Sequence, residues 1–203
     1  MVIKLYKKLK MFEGYKTTLK KISFDSNNDF HMTNSELEVI DYDLFTKKYC
    51  ENNFIRCISS NDGLYLAENG KMIFIEFKNG GISNVQANIK IKCLTSFIIL
   101  SDIVKLSRIE LKEKLSYILV YNEDKNILSE KEKSKLDMEI IHDHKRCFGV
   151  NELIEKSGRF LYSNLKEEYI RFGLNNLKGF IFNEVHTYTE EEFEKKFIKK
   201  YKK

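Results

Sequence analysis

The chain has no proline, where average usage would supply about ten, and only five arginines against thirty lysines. Without proline there are no Pro-rich linkers and no PxxP ligands. No apolar run approaches the roughly 18 residues that a membrane-spanning helix needs, so no membrane partner is expected. Residues 1–10 interleave four lysines with Val2, Ile3, Leu5, Tyr6 and Leu9. That is too much charge for the core of a secretory signal. Cysteine is sparse as well. Cys50, Cys57, Cys93 and Cys147 show neither CxxC nor metal-ligand spacing, which points to free thiols in a reducing compartment. The motifs GxxxxGK with Ser or Thr, GxGxxG and HExxH are missing, which removes P-loop nucleotide hydrolysis and zinc proteolysis from consideration. These absences together describe a soluble, cytoplasmic protein.

What is present suits a packed globule. The 203 residues are 42% hydrophobic and 13% aromatic, enough to bury a core without disulfide or structural metal. Lys, Asn, Ile, Phe and Tyr dominate, the bias of AT-rich codons. A net charge of +5 fits a polyanionic partner without requiring one. Lysine is a point charge lacking the arginine fork, so it favours phosphate over base edges. No repeat and no Gly/Ser linker divides the chain, so a single domain over 1–203 is expected.

Residues 1–22 have helical spacing and 23–34 read as a loop. Residues 37–42 alternate like a strand. Asp43 then caps a helix to Cys50, or Ser35 with Glu38 opens a longer one. Three strands are expected at 54–59, 64–67 and 71–78, the last two joined by Glu68-Asn69-Gly70. Ser83 with Gln86 forms a capping box opening a helix to about Lys105, apolar on nearly all sides at its centre. A buried strand at 117–121, helices at 130–142 and 150–172, a strand at 179–185 and a helix capped by Thr189 with Glu192 complete the plan. The fold class is mixed α/β (α+β): a small mixed central sheet with a hairpin, flanked by helices.

One constellation carries chemistry. In 71–78, Ile73, Ile75 and Phe77 share one face, and Met72, Phe74, Glu76 and Lys78 the other. Both faces are apolar through Phe74, so the strand is interior and Glu76 prolongs a buried face. A three-residue turn with Gly70 left-handed puts Asp62 opposite Glu76. A two-residue Asn69-Gly70 turn puts Gly63 there instead. In the first register two carboxylates meet and repel unless a divalent cation such as Mg²⁺ or Mn²⁺ neutralises them. Lys78 reaches the same place, where it orients or deprotonates a water or stabilises charge on a phosphate.

Asp62, the hairpin, Glu76-Phe77-Lys78, the following helix and the strand at 117–121 resemble the core of the PD-(D/E)XK nuclease superfamily, over about 37–126. The resemblance implies a restriction-endonuclease-like core that cleaves DNA or RNA phosphodiesters with Mg²⁺ (or Mn²⁺). Asp62 and Glu76 would be metal ligands and Lys78 the catalytic lysine. Asn61 stands where the pattern has proline. The extra helical carboxylate of some members is Glu36, Glu38 or nothing here. The strings SSNDGLYL and FIEFKNG also resemble small proteins of low-GC bacteria. The other outcome is a non-catalytic binding protein on the same fold, an immunity or defence factor with a protein partner.

Further residues fill out the expectation. Lys90 and Lys92, in the half of the helix where lysine opposes the dipole, are candidate nucleic-acid contacts, lying either along a phosphate groove or on a solvated face. The lysine-rich end, 195–203, is expected to be a frayed helix adding phosphate affinity at most. His142 and His144 lie two apart and would not converge on a metal with Cys147 if helical. His186, between the late strand and the capped helix, is either a proton-transfer group or a satisfied loop histidine, whereas His31, Cys57 and Cys93 have no assigned partner that would make them reactive.

Overall fold

The computed structural model describes residues 10–127, 130, 134 and 169–201. Most of the helical segments expected over 130–142 and 150–172 therefore lies outside the described residues, as do residues 1–9 and His142, His144 and Cys147.

A six-stranded sheet organises the described chain. Its strands are β1 (Lys16–Thr18), β4 (Glu38–Asp41), β5 (Gly63–Leu66), β6 (Met72–Lys78), β7 (Leu115–Tyr121) and β8 (Val185–Thr189), side by side in that order. Pairing is antiparallel from β1 to β6 and parallel across β6, β7 and β8, so the class is mixed α+β. A separate two-stranded hairpin joins β2 (Phe24–Asp25) to β3 (Phe30–His31). The helices are α1 (Leu19–Ile22), α2 (Tyr42–Asn52), α3 (Gln86–Val104), α4 (Arg108–Lys114) and α5 (Glu190–Phe193), the last continuing as a π-turn and a final turn to Tyr201. Among the described residues no helix is long and apolar enough to cross a membrane.

β6 runs through the middle and is covered on both faces. Met72 and Phe74 face a core built with α2 and α3, where Phe74 meets Tyr42 edge-on at 4.8 Å. Ile73, Ile75 and Phe77 face a second core closed by Leu19, Met32, Phe193, Phe197 and Ile198. The parallel step from β6 to β7 is made by α3, whose buried stripe includes Ile89, Cys93, Phe97 and Leu100.

The structure corrects several expected elements. Residues 54–59 form no strand. Helix α2 runs on to Asn52, Phe54 has φ +55° and is 99% exposed, and β4 already fills the place beside β5. Asp41, not Asp43, caps α2, accepting from the Leu44 N–H at 2.8 Å. The Ser83–Gln86 capping box does not form: Val85 N–H closes a turn onto Ile82 and α3 begins at Gln86 without a side-chain cap. Nor is α3 buried all round, since Ile91, Leu94 and Ile98 are exposed. The late strand is Val185–Thr189 rather than 179–185, because parallel pairing matches Val185–Thr189 to Tyr117–Tyr121, while Gly179 (φ +75°) and Phe182 form a turn over the core. Residues 10–22 hold a 3₁₀ turn, β1 and α1 instead of one helix, and residues 169–172 are not helical. The sequence reading also missed α4, which carries a complete Ser107–Glu110 capping box. The Thr189–Glu192 box is present as expected. The lysine-rich end is docked rather than frayed as far as Tyr201: Phe197 and Ile198 are buried, and Lys195 and Lys196 pair with Glu191 and Glu192.

Candidate active site

The hairpin turn fixes the site. Gly70 adopts φ +80°, and Ala67 N–H donates to Lys71 O at 2.9 Å, closing a three-residue loop. Gly63 then pairs with Ile75, and one step further Asp62 stands opposite Glu76. Gly63 answers a close approach: a Cβ there would lie 2.4 Å from Ile22 Cδ1. Asp62 is pinned by its own backbone O, which accepts from Tyr42 N–H at 3.0 Å, and by its Oδ2, which accepts from Phe77 N–H at 2.8 Å.

Glu76 is completely buried on the α3 side of the sheet. Its Oε1 accepts from two ammonium groups, Lys78 Nζ at 2.8 Å and Lys92 Nζ at 2.8 Å, and Lys92 also reaches Asp62 Oδ1 at 3.3 Å. Glu76 Oε2 is buried with no hydrogen-bond partner. Two carboxylates and two lysines thus form one cluster, charge-balanced when both acids are ionised. Burial, and then the charge of Glu76, push the Asp62 carboxyl up to about 7, against the pull of Lys92 and Lys78. Burial works to lower the Lys92 ammonium, but the charges of Asp62 and Glu76 outweigh it and hold the group above the ordinary lysine range.

Helix α3 is fastened over this cluster. Asn61 N–H donates to Ser96 Oγ at 2.9 Å, Tyr42 OH donates to Ser96 O at 3.1 Å, and Thr95 Oγ1 donates to Ser59 O. Lys92 lies on the inward stripe with Ile89, Cys93 and Ser96. The sequence reading placed it beside Lys90 as a nucleic-acid contact. Its 3.6-residue spacing from buried apolar neighbours was the signal that it points inward. Lys90 lies on another side of α3, with Nζ 3.4 Å from where a Cβ at Gly173 would stand.

Beside Asp62 and Lys78 opens a cleft of about 300 Å³, walled by Phe24 and Asp25 of the small hairpin, by Phe77 and by Asn79. Asn79 Nδ2 ties the hairpin down through Asp25 Oδ2 at 2.9 Å.

Other candidates stay apart. His186, on the edge strand β8, stacks on Tyr188 and lies 3.9 Å from Glu184; burial lowers its pKa. His31 Nδ1 contacts Lys20 O at 2.8 Å. Burial pushes the Cys93 thiol up, away from nucleophilic use, while Cys57 is exposed and unpaired with another cysteine. Glu38 pairs with Lys16 at the far side of the sheet. Among the described residues no group of three or more His, Cys, Asp or Glu converges as a metal cage.

Two carboxylates with one free, buried oxygen still fit an ion that keeps most of its waters, as Mg²⁺ does. Comparison with protein-family models, curated proteins and solved structures found no match for this chain.

Proposed function

We propose that this is a cytoplasmic, Mg²⁺-dependent (or Mn²⁺-dependent) nuclease-like protein that hydrolyses nucleic-acid phosphodiesters at Asp62, Glu76 and Lys78, on a restriction-endonuclease-like core. The observation that carries this reading is Glu76: a fully buried carboxylate opposite Asp62 that keeps one oxygen without a partner. An unpaired buried anion oxygen is costly, and a functional ligand position accounts for it. The order of elements supports the same reading, with an antiparallel β4–β5–β6 meander, a crossover through α3 and a parallel β7.

Asp62 and Glu76 would hold the metal, which supplies Lewis-acid polarisation of the phosphate and a more acidic bound water. Phe77 N–H fixes the Asp62 carboxylate, so the two acids keep their facing arrangement. Lys78, with 28% of its side chain exposed, sits between the buried acid and the cleft. From there its ammonium donates to a phosphoryl oxygen and offsets charge that develops in the transition state. Lys90, whose ammonium lies beside Gly173 on another side of α3, would contact only phosphates that run past that side of the helix.

A second reading has its own observation. Both lysines close on Glu76 Oε1, which suits a non-catalytic binding protein on a nuclease-derived fold, with a protein partner and no metal. A cleavage assay separates the two. Labelled single- and double-stranded DNA and RNA should be cut with Mg²⁺ and not with EDTA. Glu76→Gln should abolish cutting, and Lys78→Ala should lower the rate by about 10²-fold or more while metal binding persists. An intact substrate under all conditions leaves the binding-protein reading.

A further inference from the structure

We propose that Lys92 is the resident cation of the carboxylate pair, holding Asp62 and Glu76 together without metal and swinging away when a divalent ion enters. The inference rests on the metal site proposed above and names how that site is regulated.

Three observations carry it. Among the described residues the Lys92 ammonium is the cation that contacts both acids, at 2.8 Å from Glu76 Oε1 and 3.3 Å from Asp62 Oδ1. It bridges the two carboxylates as a divalent ion would. Next, the backbone beneath Lys92 is fixed. Ser96 and Thr95, one turn further along α3, are bonded to Asn61 and Ser59, so the helix itself does not retreat. Movement is left to the side chain. Its stem has four rotatable carbons, and 21% of the side chain is exposed, which gives the ammonium a route outward.

The third observation is charge balance. Asp62, Glu76, Lys78 and Lys92 sum to zero when ionised. Adding a divalent ion with both lysines in place leaves a half-buried site at two positive charges, which is costly to desolvate. Displacing Lys92 from the two acids relieves the crowding and frees its ammonium to meet an incoming phosphodiester. Metal and polyanion should therefore bind together more tightly than either alone, a coupling through one displaced side chain. Lys78 differs in kind, because among the described residues it pairs with Glu76 and not with Asp62.

The test measures binding and stability, not turnover. Mn²⁺ is titrated calorimetrically into the parent protein, Lys92→Met and Lys92→Gln. Lys71→Met, which removes the same charge at the far end of β6, is the control. Melting temperatures are taken with and without Mn²⁺. Lys92→Met should melt below the parent without metal and bind Mn²⁺ about tenfold more tightly or better, and metal should restore its stability. Lys92→Gln should follow if the methionine variant does not fold, and Lys71→Met should behave as the parent. Tighter binding by the Lys92 variants with none by the parent overturns the displacement, because Lys92 then blocks the site outright, and it overturns metal-dependent cleavage by the natural chain as well. Equal metal affinity in parent and Lys92 variants overturns the role of Lys92 while leaving the metal site intact. Absence of metal binding in all of them overturns both.

Discussion

Burying a carboxylate is costly unless its oxygens are paired. Glu76 has one oxygen paired twice and the other not at all. The imbalance spreads to Asp62, whose carboxyl is raised to about 7, first by burial and then by Glu76. Its consequence for stability has a definite sign. Between the ordinary aspartate value near 3.8 and about 7 the folded state holds a proton that the unfolded chain has released. Stability from this group is therefore complete below pH 3.8 and is lost as pH rises through 7. Melting temperature should fall across that window, and Asp62→Asn should flatten the slope; an unchanged slope in the variant places the titration elsewhere. The meeting of Asp62, Glu76 and Lys78 was legible as one of two registers, because strand alternation fixes faces; the three-residue turn with Gly70 left-handed is what selects it. Lys92 was not, because a helix read as apolar all round hides which of its two lysines points inward.

Elements were legible where local chemistry was decisive and lost where tertiary context overrode it. β5, β6 and β7 have apolar residues on both faces, which only a covered sheet satisfies. The Thr189–Glu192 box could be read from four residues. The 54–59 segment has strand-like composition, yet β4 already holds the place beside β5, and it became a loop alongside α3. The Ser83–Gln86 pair had the right spacing, but a turn from Ile82 to Val85 precedes the helix and leaves Val85 at the cap position. Two substitutions check this assignment. Phe54→Ser should leave the melting temperature unchanged, since the ring is 99% exposed. Phe74→Ala, in the doubly covered strand, should cost about 3–5 kcal/mol. Denaturant unfolding measures both; a large loss at Phe54 would restore the strand.

Charge is the property of the whole molecule that bears on its partner. Five arginines offer little bidentate base readout, whereas thirty lysines offer many phosphate contacts. Nucleic-acid binding should be indifferent to sequence, and its affinity should fall by orders of magnitude between about 50 and 200 mM salt. Fluorescence anisotropy at fixed temperature reads this directly, and a flat salt response contradicts a phosphate-led interface. All of it depends on whether the sheet centre holds a metal. Crystals soaked in Mn²⁺ and measured for anomalous scattering give the most direct answer. A peak between the Asp62 and Glu76 carboxylates, with the Lys92 ammonium moved off them, is the expected result. No peak there, with Lys92 still bridging both acids at saturating Mn²⁺, would contradict the metal site.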